Sequence, residues 1–218
     1  MDTMPTPGPT PVPDPAAEAA QPAPLTPPPA SGRLAGPSVR TRQEGDDRER
    51  LICPDCGWIV YDNPKIVVGA VVTDEAGRYL LCRRAIEPRK GYWTLPAGYM
   101  ELNETPVDGA QRESWEEARA RIAIDSLLAV YTIPRISQVQ LIHRARLVDP
   151  HVEPGPESLE VGLFTWEEIP WRDLAFPTVL WALNDHRRRR DLTSYAPAVN
   201  PVEPLEFPLG EAPGSKVS

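Results

Sequence analysis

The elements legible in this sequence predict an α/β fold, an α/β/α sandwich around a mixed sheet. Three observations point there: short apolar runs bounded by turn residues, two amphipathic segments of helical length, and alternation of the two kinds along the chain. Residues 66–72 form an apolar run between Pro64 and the turn Asp74-Glu75-Ala76-Gly77, and residues 79–83 follow as the hairpin partner. Trp93-Thr94-Leu95 then leads into a loop, residues 95–101, that holds Pro96 and Gly98. A helix starts near Thr105, which caps the first turn. Pro106 suits the first helical position, where no amide hydrogen is needed, and Asp108 favours the helix N-terminus. Residues 122–132, 139–148 and 159–165 read as strands and residues 176–189 as a closing helix. Its basic end, His186-Arg187-Arg188-Arg189-Arg190, suits the helix dipole and is read as a solvated terminus. No dinucleotide-type glycine fingerprint accompanies these elements.

The chemistry is concentrated between Gly98 and Ala120. Gly98, Glu104 and Arg112-Glu113-Ser114-Trp115-Glu116-Glu117 put Glu113, Glu116 and Glu117 at i, i+3 and i+4, one face of a helix. Unpaired, three carboxylates at those offsets repel one another, and the usual reason to keep them together is a hard cation with a preference for oxygen, Mg²⁺ or Mn²⁺. Arg112 can hold one carboxylate in a fork-shaped hydrogen bond. A loop–helix unit that binds metal is the expectation. The same residues also suit an ordinary acidic helix with a solvated face, a reading weakened by Gly98, Glu104 and Arg112 standing in register.

The pattern resembles the signature box of the Nudix hydrolases, which cleave a diphosphate linked to a nucleoside or similar group. The resemblance implies that Glu113, Glu116 and Glu117 bind catalytic metal, that Arg112 orients a glutamate, and that Gly98 and Glu104 complete the loop. Ser114 and Ala120 replace larger aliphatic residues, and Arg119 replaces the glycine that normally ends the helix. A non-glycine residue in the left-handed conformation costs about 1–2 kcal/mol, so a strained or rebuilt helix exit is expected.

Composition divides the remainder. Residues 1–30 hold eleven prolines and too few apolar side chains to offset ordering entropy, so they are expected to be a disordered arm, and the proline-rich residues 196–218 a disordered tail. The catalytic domain is assigned to residues 63–195. Residues 31–62 include Cys53-Pro54-Asp55-Cys56-Gly57, one knuckle of the kind that aims two thiolates at zinc. The order of elements here is similar to a Nudix subgroup with an N-terminal zinc ribbon, in which Ser31 and Leu34 would occupy the first cysteine pair. With two ligands of four, zinc in a single chain is not expected, and a ribbon without metal has little reason to pack well. Cys82 sits in an apolar run and suits the core. A net charge of -8 opposes nucleic-acid binding. No run approaches the eighteen or more apolar residues of a membrane span, and no signal-peptide core is evident, so a soluble cytoplasmic protein is expected.

Residues 81–98, together with 137–139 and 155–160, resemble the same subgroup, whose members are linked to ADP-ribose and FAD. Pro134 is placed like the marker of ADP-ribose pyrophosphatases. The resemblance implies a Mg²⁺- or Mn²⁺-dependent diphosphatase, with dimerisation an analogy. Arg84 and Arg89 are candidates to grip phosphate, and Tyr92 or Trp93 to stack on a flat ring; a core Trp93 and surface arginines are equally compatible with the pattern. The general base is open at this point: Glu113 could serve, as could an acid outside the box such as Glu157 or Glu160, at a loop entering a strand, with Glu160 a candidate for a catalytic, metal or substrate role. Two other functions fit the residues less well: a nucleoside triphosphate pyrophosphatase, and a sensor that binds nucleotide without cleavage and would be marked by lost box glutamates.

Overall fold

A computed structural model describes residues 36–202. The arm at residues 1–30, the positions Ser31 and Leu34, and the tail beyond 202 lie outside the described residues. The chain divides into two compact units between Tyr61 and Asp62.

The first unit is a three-stranded antiparallel sheet of β1 (Val39–Arg42), β2 (Glu49–Ile52) and β3 (Ile59–Val60), in the order β1-β2-β3. The strands pair in register, Val39 with Ile52 through Arg42 with Glu49, although all four β1 residues are exposed and only Ile52 of β2 is buried. Asp46 in the β1–β2 turn accepts from Arg50 Nε at 2.6 Å, which ties the turn to the start of β2.

In the second unit a sheet runs β10-β5-β4-β9-β8, built from β4 (Lys65–Thr73), β5 (Tyr79–Arg84), β8 (Ile122–Ile133), β9 (Gln138–Leu147) and β10 (Ser158–Phe164). It is mixed, because β4 pairs with β9 in parallel from Lys65–Gln138 to Thr73–Arg146 while the other pairs are antiparallel. Consecutive residues of β4 and β5 point into two different cores. Val71, Tyr79 and Leu81 pack with Val179, Ala182 and Leu183 of α2 (Pro177–Arg189) on one face. Ala70, Val72, Leu80 and Cys82 pack with Ala118 of α1 (Pro106–Ala118) on the other. Burial on both faces explains why these strands read as continuous apolar runs rather than alternating ones. Cys82 is core, as its surroundings in the sequence indicate.

The expected hairpin of β4 and β5 is only partly formed. The two strands meet at Thr73 and Tyr79 and then part, and the fork is filled by β6 (Trp93–Thr94) on β5 and β7 (Ala97–Tyr99) on β4. Gly69 permits this: a Cβ there would fall 2.8 Å from the Pro96 carbonyl oxygen and against Ala97. The fork delivers the Gly98 loop to the face of α1 that carries Glu113 and Glu117. The expected disorder from residue 196 begins too early. Ala198 N–H donates to Leu128 O at 2.9 Å and Val130 N–H to Ala198 O at 2.8 Å, so this segment extends the edge strand β8. The side chain of Asn200 accepts from Thr132 N–H at 2.8 Å and donates to Thr132 O at 2.7 Å.

Candidate active site

The helix that carries the glutamates begins where the sequence places it. Thr105 Oγ1 accepts from Asp108 N–H at 3.2 Å and Thr105 N–H donates to Asp108 Oδ2 at 3.3 Å, a reciprocal cap followed by Pro106 in the first turn. The face of α1 turned to the sheet consists of Gly109, Ala110, Glu113, Ser114, Glu117 and Ala118. Ser114 is fully buried and its hydroxyl donates to Ala110 O at 2.8 Å, so a small polar residue fits where a larger aliphatic one was expected. The three glutamates do not share one environment. Glu113 and Glu117 are buried, whereas the Glu116 side chain retains 54% exposure at the rim.

Arg112 organises this face with every donor of its guanidinium. Nε and Nη2 form a fork on Glu104 at 3.0 and 2.9 Å, and Nη2 also reaches Tyr99 O at 3.0 Å. Nη1 bridges Glu113 Oε1 at 2.7 Å and Glu116 Oε2 at 3.0 Å. Glu104 also accepts from Glu101 N–H at 2.6 Å, and the Arg112 hydrogen bonds hold its carboxyl down at about 2. Burial acts the other way on the inner pair. It pushes the Glu117 carboxyl up to about 8 against the hydrogen bond from Ala97 N–H (3.1 Å), with the charge of Glu113 adding to the rise, and it raises Glu113 as well. Gly98 is needed for the approach of the loop, because a Cβ there would coincide with the Glu113 carboxylate.

Among the described residues, no three carboxylate, imidazole or thiol groups already stand as a metal-coordinating array, since Arg112 lies between Glu113 and Glu116. The donor set nonetheless fits a hard divalent cation. It is all oxygen, it sits on one helix face, and burial raises the pKa of both inner carboxylates, with the charge of Glu113 adding to the rise at Glu117, in a way that a positive charge would reverse.

The helix ends through Arg119 in the left-handed conformation at φ 52°, with Ala120 N–H on Ser114 O at 3.1 Å. The glycine-type exit is therefore kept, not rebuilt, and carries the strain of a side chain. Arg119→Gly is expected to stabilise the protein by about 1 kcal/mol, raising Tm by about 2–4 °C in thermal unfolding. The remaining carbonyls are covered by a loop that the motif alone does not reveal: Glu153 N–H donates to Ala118 O and Gly155 N–H to Glu117 O, both at 3.0 Å. Gly155 lies so close that a Cβ would overlap the Glu116 carbonyl. The only trace of this in the sequence is the turn pair Gly155-Pro156.

The candidate substrate residues are spread around this cluster. Arg84 sits near enough for its charge to lower the Glu117 pKa, while its Nε donates to Pro88 O at 2.9 Å and its guanidinium lies 5.3 Å from the Phe176 ring centre. Arg89 has a φ of 66° and lies 5.0 Å from the Tyr92 ring. Trp93 is half-buried and edge-on to Phe164 with ring centres 5.0 Å apart, the core position that its surroundings also allowed. Glu160 is paired with Arg83 Nη1 at 2.8 Å. Glu157 is the loop acid whose charge reaches both Glu113 and Glu117. Cys53 and Cys56 are free thiols in the first unit.

A mixed sheet between two helices, with buried carboxylates gathered behind a glycine loop, is an α/β arrangement with an all-oxygen cluster suited to a divalent cation. Comparison with known proteins sharpens this. The NUDIX domain model matches residues 63–182 and the Nudix N-terminal zinc-ribbon model residues 35–62. A MutT-like protein of Streptomyces ambofaciens is 37% identical over 107 residues, 49% of this chain and 68% of its own length. An ADP-ribose pyrophosphatase of Methanocaldococcus jannaschii is 26% identical over 115 residues, 51% of this chain and 68% of its own length. The crystal structure of a NUDIX hydrolase from Nitrosomonas europaea superposes with a TM-score of 0.69 at 46% identity, covering 74% of this chain and 93% of that one. The chain belongs to the Nudix hydrolase family.

Proposed function

We infer that the chain hydrolyses the diphosphate of a nucleoside diphosphate derivative, ADP-ribose or FAD, to AMP and a second monophosphate, with Mg²⁺ or Mn²⁺ and in the cytoplasm. The observation that carries this reading is the pair of buried carboxylates, Glu113 and Glu117, beside Glu116 and under the Gly98 loop. An ADP-ribose pyrophosphatase among the relatives supports the substrate class.

Glu113, Glu116 and Glu117 would hold the metal, with Gly98 leaving room for Glu113. A bound divalent ion supplies charge neutralisation at the diphosphate oxygens and lowers the pKa of a water molecule. The chain does the positioning. Ala97 N–H fixes Glu117, and Arg112, anchored on Glu104, fixes Glu113. Water attacks one phosphorus, the bridging P–O bond breaks, and a carboxylate takes the proton of the water. Glu157 suits that role better than Glu160, since Arg83 engages Glu160 whereas Glu157 faces the inner pair electrostatically. Arg84, whose charge reaches Glu117, is placed to meet substrate phosphate. Arg89, Trp93 and Glu160 remain the further candidates for contact with substrate, Trp93 being packed against the core that holds α2.

The test is product analysis by chromatography after incubation with Mg²⁺ and, separately, ADP-ribose, FAD, NADH and nucleoside triphosphates. AMP from ADP-ribose or FAD is the expected result. Inorganic pyrophosphate from triphosphates alone would replace this reading with nucleotide sanitation, and tight binding of one compound with no turnover would replace it with a sensor.

A further inference from the structure

Phe176 occupies a position for which its side chain is poorly suited. It is the N-cap of α2, extended at φ -139° and ψ 147°, where Ser, Thr, Asp or Asn would close the first turn with a side-chain hydrogen bond, and it makes none. Its ring is engaged elsewhere: the Arg84 guanidinium lies over it, 5.3 Å from the ring centre. The backbone that carries the ring is fixed. Leu174 pairs with Trp93 in a parallel bridge and Ala175 N–H donates to Trp93 O at 2.7 Å, so the segment that enters α2 is tied to β6.

Arg84 is fixed from the other side. Its N–H donates to Tyr92 O and its carbonyl accepts from Gly91 N–H, both at 2.9 Å, and its Nε donates to Pro88 O at 2.9 Å. In register it faces Ser158, and the next residue, Ala85, donates its N–H to Glu157 O at 2.8 Å. That segment begins at Gly155, whose N–H is bonded to Glu117 O, so Arg84 stands beside the loop that covers the end of the glutamate helix. The ring contact uses no N–H, and Nη1 and Nη2 have no acceptor among the described residues. Nearby guanidiniums differ: Arg83 is paired with Glu160, and Arg112 with Glu104, Glu113 and Glu116. A braced cation that pairs with none of the carboxylates near it keeps its terminal donors for an anion from outside.

We propose that Phe176 is a positioning residue, whose ring holds the Arg84 guanidinium so that Nη1 and Nη2 meet the non-bridging oxygens of the substrate diphosphate. This rests on the diphosphatase reading above and adds to it the residue that prepares its phosphate grip. An arginine held in advance loses less rotamer freedom when phosphate arrives, and its planar fork matches two phosphate oxygens where an ammonium cannot. A leucine at 176 would fill the space but offer no ring face to the cation.

Calorimetric binding of ADP in Mg²⁺, beside hydrolysis of ADP-ribose, tests this on the full chain, with near-ultraviolet circular dichroism to check that each variant is folded. Phe176→Leu is expected to weaken ADP binding about tenfold and to raise KM for ADP-ribose by about the same factor. Phe176→Tyr keeps the ring and should bind like the parent. Arg84→Lys keeps the charge without the fork and, at a site outside the core, should lose at least as much as Phe176→Leu. Added to Arg84→Lys, Phe176→Leu should cost less than about twofold more, a coupling that a purely structural role of the ring would not produce. Parent affinity in Phe176→Leu or in Arg84→Lys, equal losses in Phe176→Leu and Phe176→Tyr, or losses that multiply in the double variant would overturn the proposal. So would a parent that binds no ADP. The underlying reading fails in a different way: a parent that binds ADP with this dependence on Phe176 but hydrolyses no ADP-ribose keeps the pair as a diphosphate grip and removes that substrate.

Discussion

Glu117→Gln is expected to lower kcat by about a thousandfold, close to 4 kcal/mol of transition-state stabilisation, while leaving the metal-free protein at least as stable as the parent. The glutamine keeps the shape and can still accept from Ala97 N–H, but it cannot neutralise a divalent cation. It also removes a charge that burial penalises. The sign follows from the pKa raised to about 8 from the ordinary 4.5: the folded state binds the proton more tightly than the unfolded one. Stability from this group is fully present below pH 4.5 and is lost as pH rises through about 8. The metal-free parent should therefore lose stability across that window relative to Glu117→Gln. Metal affinity should run the opposite way, rising with pH as Glu117 gives up its proton. Chemical unfolding in chelator at pH 5 and 8, with kcat measured at saturating Mg²⁺, checks both halves. Glu116→Gln should also remove most turnover, with a smaller stability change because Glu116 stands at the rim. Retained activity in both variants would overturn the metal assignment.

Much of this was legible in the sequence, for identifiable physical reasons. Local signals mark the start of α1, because Thr105, Pro106 and Asp108 act within one turn. The strands of the sandwich stand out because burial on two faces leaves continuous apolar runs. Non-local features were not legible. The parallel pairing of β4 with β9 joins residues more than seventy positions apart, and no local pattern reports that β5 diverges to admit β6 and β7. Spacing put three glutamates on one face but could not show that Glu116 lies at its edge, since that depends on where the sheet meets the helix. The segment around Ala198 resembles a tail because Pro197 and Pro201 dominate it. Its backbone is nonetheless paired with β8, an edge that would otherwise be open. Arg119 read as a possible site of rebuilding, yet the hydrogen bonds of the helix exit outweigh the cost of one left-handed side chain.

The two glycines that touch the cluster should fail differently when given a methyl group, and the contrast separates scaffold from chemistry. At Gly98 the added Cβ meets only the end of the Glu113 side chain, which can rotate away. Gly98→Ala is therefore expected to change stability by less than about 1 kcal/mol but to lower kcat by about a hundredfold, since the displaced group is a proposed metal ligand. At Gly155 the methyl meets the Glu116 backbone carbonyl, which the helix holds in place. The loop must retreat instead. It then gives up the hydrogen bonds from Gly155 to Glu117 and from Glu153 to Ala118. Overpacking and two lost helix-end bonds together should cost about 2–4 kcal/mol, and the displaced loop carries Glu157 with it, so activity should fall as well. Thermal unfolding beside kcat for the two variants makes the distinction. If Gly155→Ala were as stable as the parent, the loop would not be a fixed cap on α1, and Glu157 would lose its claim to a defined place beside the inner carboxylates.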